Sequence, residues 1–185
     1  MSASEAAERV ARSWQVLDGV PDPEVPVISL CELGIVRDVV ATGQGIEVVL
    51  TPTYSGCPAT EVIAASAVEA LERAGLGPVT VSQRRAPAWT TDWISDQGRR
   101  KLLAYGIVPP APVGRSADAA RVAGAAGEPA VVPMRFMPRR GALRLACPRC
   151  GSGDTEQLAA FGSTACKALH RCRACTEPFE HFKPL

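Results

Sequence analysis

Two short cysteine pairs, "CPRC" at 147–150 and "CRAC" at 172–175, constrain this chain more than any other feature. Tetrahedral zinc wants four thiolates at about 2.3 Å, and each C-x-x-C turn supplies a pair. The 21 residues between the pairs are easily spanned by a β-hairpin. "TEQLAAFG" and "ACKALHRC" read as its strands and "PFEHFK" as a third, with Pro148 and Gly151 suited to tight turns. A module of about 44 residues cannot hold itself together on so small a core, so a metal staple is expected. Cys147, Cys150, Cys172 and Cys175 are therefore the expected ligands of a zinc ribbon. Four thiolates also suit a single iron or an iron–sulfur cluster, which stay as alternatives. Cys166 is a fifth thiol, read as a packed strand residue, with an alternate ligand or transfer site as the other option. His170 and His181 fall in the same module, but four Cys already fill a structural site.

Residues 109–133 upstream are different material: sixteen of those 25 are Ala, Gly or Pro. That composition reads as a linker and divides the chain into 1–108, a linker 109–141 and the ribbon 142–185. In the first part, Val10, Trp14 and Leu17 stand at helical spacing, and Gly19 and Pro21 end that helix. The β-branched runs Ile35–Val40 and Ile46–Leu50 meet at a Gly-Gln-Gly turn and read as a hairpin. Ile63, Ala67, Ala70, Leu71 and Ala74 keep one face of a helix expected to start at Pro58. "PVTVSQ" reads as a strand, and a last helix is expected over Asp92 to Tyr105. The order α-β-β-α-β-α predicts an α+β sandwich domain.

Charge is split along the chain. Residues 1–76 carry 11 acids and 4 bases, and residues 77–185 carry 8 acids and 16 bases, or −7 against +8. The ribbon is basic through Arg139, Arg140, Arg144, Arg149, Lys167, Arg171, Arg173 and Lys183. Its aromatics, Phe161, Phe179 and Phe182, read as its small core, which disfavours nucleic-acid stacking. No apolar run is long enough to cross a bilayer, and the N-terminal stretch is too polar for a signal peptide, so a cytoplasmic address is expected. Seven cysteines in that compartment point to metal or thiol chemistry, not a disulfide framework.

One cysteine stands apart. Cys57, in "TPTYSGCPAT", falls where an extended run gives way to a helical one. A thiol at a helix start is expected to have a lowered pKa, because unpaired N–H groups and the positive dipole end favour the thiolate. No histidine precedes residue 170, so a Cys–His nucleophile is unattractive and thiol ligation of iron fits better. Asp22 and Glu24, in the proline-framed turn "DPEVP", have the chemistry to supply oxygen ligands if the fold brings them there. Otherwise they are turn and capping residues. Cys31 reads as core, and Trp89 and Trp93 as core or a partner surface.

"DPEVPVISLCELGIVRDV" followed by "LTPTYSGCPATEVI" resembles the α+β domain of SufT-like iron–sulfur assembly factors. With "APAWTTDWISDQGRRKLLAYGIVPP" and the Cys-rich tail, the chain is similar to the PaaD-type family, a component of bacterial phenylacetyl-CoA epoxidase (ring-1,2-epoxidase) systems. That resemblance implies a non-catalytic accessory subunit in aerobic phenylacetate catabolism that helps install an iron or iron–sulfur centre. Its implied partners are the flavin- and iron–sulfur-bearing reductase or the di-iron oxygenase subunit. The family motif lands on Asp22, Glu24, Thr53 and Cys57 as the iron or cluster transfer site, and the metal-binding tail on Cys147, Cys150, Cys172 and Cys175. A purely structural scaffold subunit is the alternative. Both histidines lie in the ribbon, so a ferritin-like di-iron site cannot be built here.

Overall fold

The computed structural model describes residues 2–54, 56–110 and 145–184. Helix α1 (Ala3–Asp18) starts at a capping box: the Ser2 hydroxyl accepts from the Glu5 N–H, and the Glu5 carboxylate accepts from the Ser2 N–H. Leu17 is fully buried, with Val10 and Trp14 packed beside it. Strands β1 (Val36–Ala41) and β2 (Ile46–Leu50) pair antiparallel across the Gly-Gln-Gly turn. Helix α2 (Thr60–Arg73) then crosses over, and β3 (Val79–Gln83) pairs parallel with β2. The sheet order is therefore β1-β2-β3. Ile63, Ala67 and Leu71 are the buried stripe of α2, three of the five residues whose spacing predicts it.

Two helix starts differ from expectation. Helix α2 begins at Thr60, not Pro58, because residues 58 and 59 form a turn. The helix expected from Asp92 splits into a 3-10 turn (Thr91–Trp93) and α3 (Asp96–Tyr105). Ser95 adopts an extended conformation, and its hydroxyl accepts from the Gly98 N–H, which makes it the true cap. The α3 start is tied down by Ser95 N–H donation to the Glu32 carbonyl and a Lys101–Glu32 ion pair at 2.7 Å. Nearby, Gly34 has φ of 75°, and a Cβ there would fall 2.7 Å from Trp93. Only glycine meets both conditions.

The second sheet has the order β4-β7-β6-β5. Strands β5 (Thr155–Ala159), β6 (Lys167–Cys172) and β7 (Pro178–Phe182) form the antiparallel ribbon read from the sequence. The fourth strand, β4 (Ile107–Val108), follows α3 directly and pairs parallel with β7 at Glu180 and His181. Strand β7 also joins two cores. Phe179 packs with Cys147 and Cys172, while Phe182, 1% exposed, and Cys166 belong to the larger core with Leu17, Ile63 and Trp89. The Trp89 ring lies 5.9 Å from that of Phe182, and its N–H donates to the Leu33 carbonyl. Residues 111–144, which include most of the linker expected at 109–141, lie outside the described residues. Among the described residues no helix is long and apolar enough to cross a membrane.

Candidate metal centre and thiol crevice

The two C-x-x-C turns converge. The four sulfurs lie within 4.8 Å of one another, with Cys147–Cys175 at 3.7 Å and Cys150–Cys172 at 3.6 Å. Sulfurs on a tetrahedron of about 2.3 Å radius stand roughly 3.8 Å apart, so the set is already sized for zinc. Each knuckle closes through a left-handed residue after its second cysteine, Gly151 at φ 74° and Thr176 at φ 65°. Backbone N–H groups aim at the sulfurs, as when Arg149 donates to Cys147 at 3.4 Å. The Cys175 N–H, aided by that of Ala174, brings the Cys172 thiol down to about 7. The Glu177 N–H pulls Cys175 the same way, but burial and hydrogen bonds shared with its neighbours push it up to about 12. Four sulfurs so close do not all ionise without a cation, which a bound metal supplies.

A β-branched residue at positive φ is strained. Thr176→Gly is expected to raise the stability of the metal-loaded chain by about 1 kcal/mol, the relief of strain less the entropy of glycine. A thermal midpoint that stays put or falls would show that the turn carries no strain.

The basic ribbon face is less free than the sequence implies. Arg171 and Arg173 both bind Glu156, at 2.5 and 2.8 Å, and the buried Lys167 pairs with Glu180 at 2.9 Å. Arg139, Arg140 and Arg144 lie outside the described residues. Phe161, expected in the core, is 65% exposed, with the Lys183 ammonium 4.3 Å from its ring centroid. His170 and His181 are buried, with His170 stacked on Phe179 and edge-on to His181, and neither belongs to the four-sulfur set. Trp89 is core, whereas Trp93 is half-buried under the Arg37 guanidinium at 3.5 Å.

A second constellation forms between the modules. A small crevice is lined by Asp22, Glu24, Thr53 and Cys57 together with Cys166, Phe182 and the apolar residues Val25, Leu33, Ile35 and Ile63. The proline-framed turn places Asp22 by making its carboxylate accept the Glu24 and Val25 N–H groups at 2.9 and 2.8 Å. Burial nonetheless raises the Asp22 pKa against those bonds. Burial, then the Asp22 charge, raises that of Glu24. Cys57 is not the cap of α2, a place held by Ala59. Its carbonyl accepts from the Thr60 hydroxyl at 2.8 Å, and the Ala59 N–H and the Tyr54 hydroxyl are placed to donate to its sulfur.

The expected lowering of the Cys57 pKa is not found. Burial pushes it up, and the charge of Glu24 adds to that, outweighing the neighbouring hydrogen-bond donors. The resting group is therefore a protonated thiol. Tyr54, itself pushed up to about 12 by burial and the nearby thiols and Glu24, was not singled out by sequence reasoning. Its place in "TPTYSGC", three residues before the cysteine, was the available signal. Cys31 is half-buried against the core, its thiol pushed up to about 12 by burial and by the charges of Asp18 and Glu32.

Residues 133–183 match the model of the PaaD zinc beta ribbon domain, and residues 12–82 that of the iron-sulfur cluster assembly protein family. A solved domain of unknown function, DUF59, from Bacillus anthracis shares the fold, with a TM-score of 0.51 and 23% identity. The match covers 55% of this chain and 97% of that one. Over 181 residues the chain is 42% identical to a protein of Escherichia coli (strain K12) described as the D component of 1,2-phenylacetyl-CoA epoxidase, covering 98% of this chain and 96% of that one. A metal-sized four-cysteine ribbon joined to an assembly-type α+β domain, at that identity over nearly the whole length, makes this chain a member of the PaaD-type family of phenylacetyl-CoA epoxidase components.

Proposed function

We propose that this chain is an accessory subunit of a phenylacetyl-CoA epoxidase system and assists the assembly of an iron or iron–sulfur centre in a partner protein of that system. The observation that carries the reading is the crevice in which Cys57 meets Asp22, Glu24 and Thr53. A soft sulfur beside hard carboxylates suits transient ferrous iron, whereas closed four-sulfur sites retain their metal. In this reading the iron or cluster is cargo. Cys57 holds it, Asp22 or Glu24 assists, and the Tyr54 hydroxyl and Ala59 N–H steady the sulfur. The ribbon holds zinc through Cys147, Cys150, Cys172 and Cys175 as a structural ion, and that ion takes no part in transfer. Its partners are the other subunits of the system, the reductase or the di-iron oxygenase.

Cys57→Ser is expected to leave the fold and the ribbon metal intact. Iron occupancy of co-expressed oxygenase and reductase subunits should then fall several-fold, read by metal analysis of the purified complex. Full occupancy with the variant would sink the carrier role. One observation favours a scaffold subunit instead: the Cys57 thiol is half-buried and raised in pKa, as a packing residue would be. On that reading Cys57→Ser changes neither co-purification nor iron content.

A further inference from the structure

The ribbon carries one thiol that its own metal set does not use. Cys166 lies at the end of the turn between β5 and β6 and is 4% exposed. It belongs to the larger core and not to the small cluster around Cys147 and Cys172. Its sulfur is 3.0 Å from the Thr164 hydroxyl, and its carbonyl accepts from the Lys183 N–H at 2.9 Å, so the turn is held in place. The crevice it lines is the one that holds Cys57, Asp22 and Glu24.

A buried cysteine is often only a small hydrophobe. This one keeps polar company from three separate stretches of chain: the turn at 22–24, the turn at 53–57 and the ribbon hairpin. The charge of Glu24 is felt at both sulfurs. Tyr54 senses both thiols as well and hydrogen-bonds Cys57. The neighbouring cation, Lys167, is paired with Glu180, which leaves the two crevice carboxylates without a salt-bridge partner of their own among the described residues. Two sulfurs and two carboxylates around one crevice are a donor set for a thiophilic divalent cation.

We propose that Cys166 is the second sulfur ligand of the site built around Cys57, so that ferrous iron is held between the two halves of the molecule. The proposal rests on the reading of Cys57 as a carrier ligand and adds the residue that closes the site. The cavity is about 10 Å³, and outside the ribbon set no three ligand atoms among the described residues lie as close together as those four sulfurs. Loading therefore draws the hairpin turn and the 53–57 turn onto the ion, and release lets them part.

The test is anaerobic titration of Fe2+ into the full-length, zinc-loaded chain, following bound iron by equilibrium dialysis and thiolate-to-iron charge-transfer absorption. Wild type is expected to bind one ferrous ion per chain beyond its zinc, and Cys57→Ser to bind none. Cys166→Ser and Cys166→Ala are each expected to weaken binding at least tenfold and to cut the charge-transfer band by about half. Unchanged zinc content reports that the ribbon remains folded in each variant, and the Ala variant guards against a buried hydroxyl upsetting the core. If both Cys166 variants bind as wild type while Cys57→Ser does not, the second ligand is refuted and the carrier reading stands. Iron binding by Cys57→Ser equal to wild type, or none by wild type, removes both.

Discussion

Stripping the ribbon metal from the full chain is expected to unfold more than the ribbon. Structural zinc in small modules contributes on the order of 10 kcal/mol of folding free energy, because the binding site does not exist in the unfolded chain. Without it, Cys147, Cys172 and Phe179 are too small a cluster to hold β5, β6 and β7 together. Losing that sheet removes Cys166 and Phe182 from the larger core and breaks the β4–β7 pair. Chelator-treated protein, or Cys172→Ser, should therefore lose ellipticity across both sheets and become open to proteolysis near Trp89. If α1 to α3 kept their thermal midpoint after chelation, the two cores would be independent.

Phe182→Ala should carry the largest cost of any single truncation at the seam. Removing a fully buried Phe typically costs about 3–5 kcal/mol, lost transfer energy plus the cavity left behind. Against a total of roughly 5–15 kcal/mol for a domain of ordinary stability, that is a large share. Phe182 is also the ring against which Trp89 packs. Urea denaturation followed by Trp fluorescence should show a single transition at markedly lower urea. Phe179→Ala makes the matched control, since its ring faces the metal cluster and the buried His170. It should weaken zinc retention first. A Phe182→Ala midpoint equal to wild type would show that the seam holds nothing.

Elements written locally in the chain were legible in the sequence. Helix α1 advertises itself by its apolar period, β1 and β2 by β-branched runs about a glycine turn, and the ribbon by cysteine spacing. The convergence of Asp22 and Glu24 on Cys57 could be raised from the sequence only as an option, because it brings together residues more than thirty positions apart. Strand β4 was not legible at all. Two residues have no period, and its partner stands at 180–181. The thiol pKa expectation failed for a related reason: helix-start logic sees only neighbouring N–H groups, whereas Cys57 is buried in a crevice that Cys166 and Phe182, far away in sequence, help to line. Phe161 misled in the opposite sense. An aromatic in a small ribbon reads as core, yet this one lies under a lysine at the surface.

The pairing of β4 with β7 has a kinetic side. It joins Ile107 and Val108 to residues more than seventy positions later, so closing that loop is entropically costly and rewarded by only two residue pairs. Contacts of that kind form late and open first, in local fluctuations well below the free energy of global unfolding. The amides of Ile107, Val108 and Phe182 should then exchange with deuterium ahead of those in β2 and in the heart of α2. The crevice thiols would meet solvent on the same timescale, with no helix melting. Access to the crevice thiols would thus be set by how often one short strand lets go.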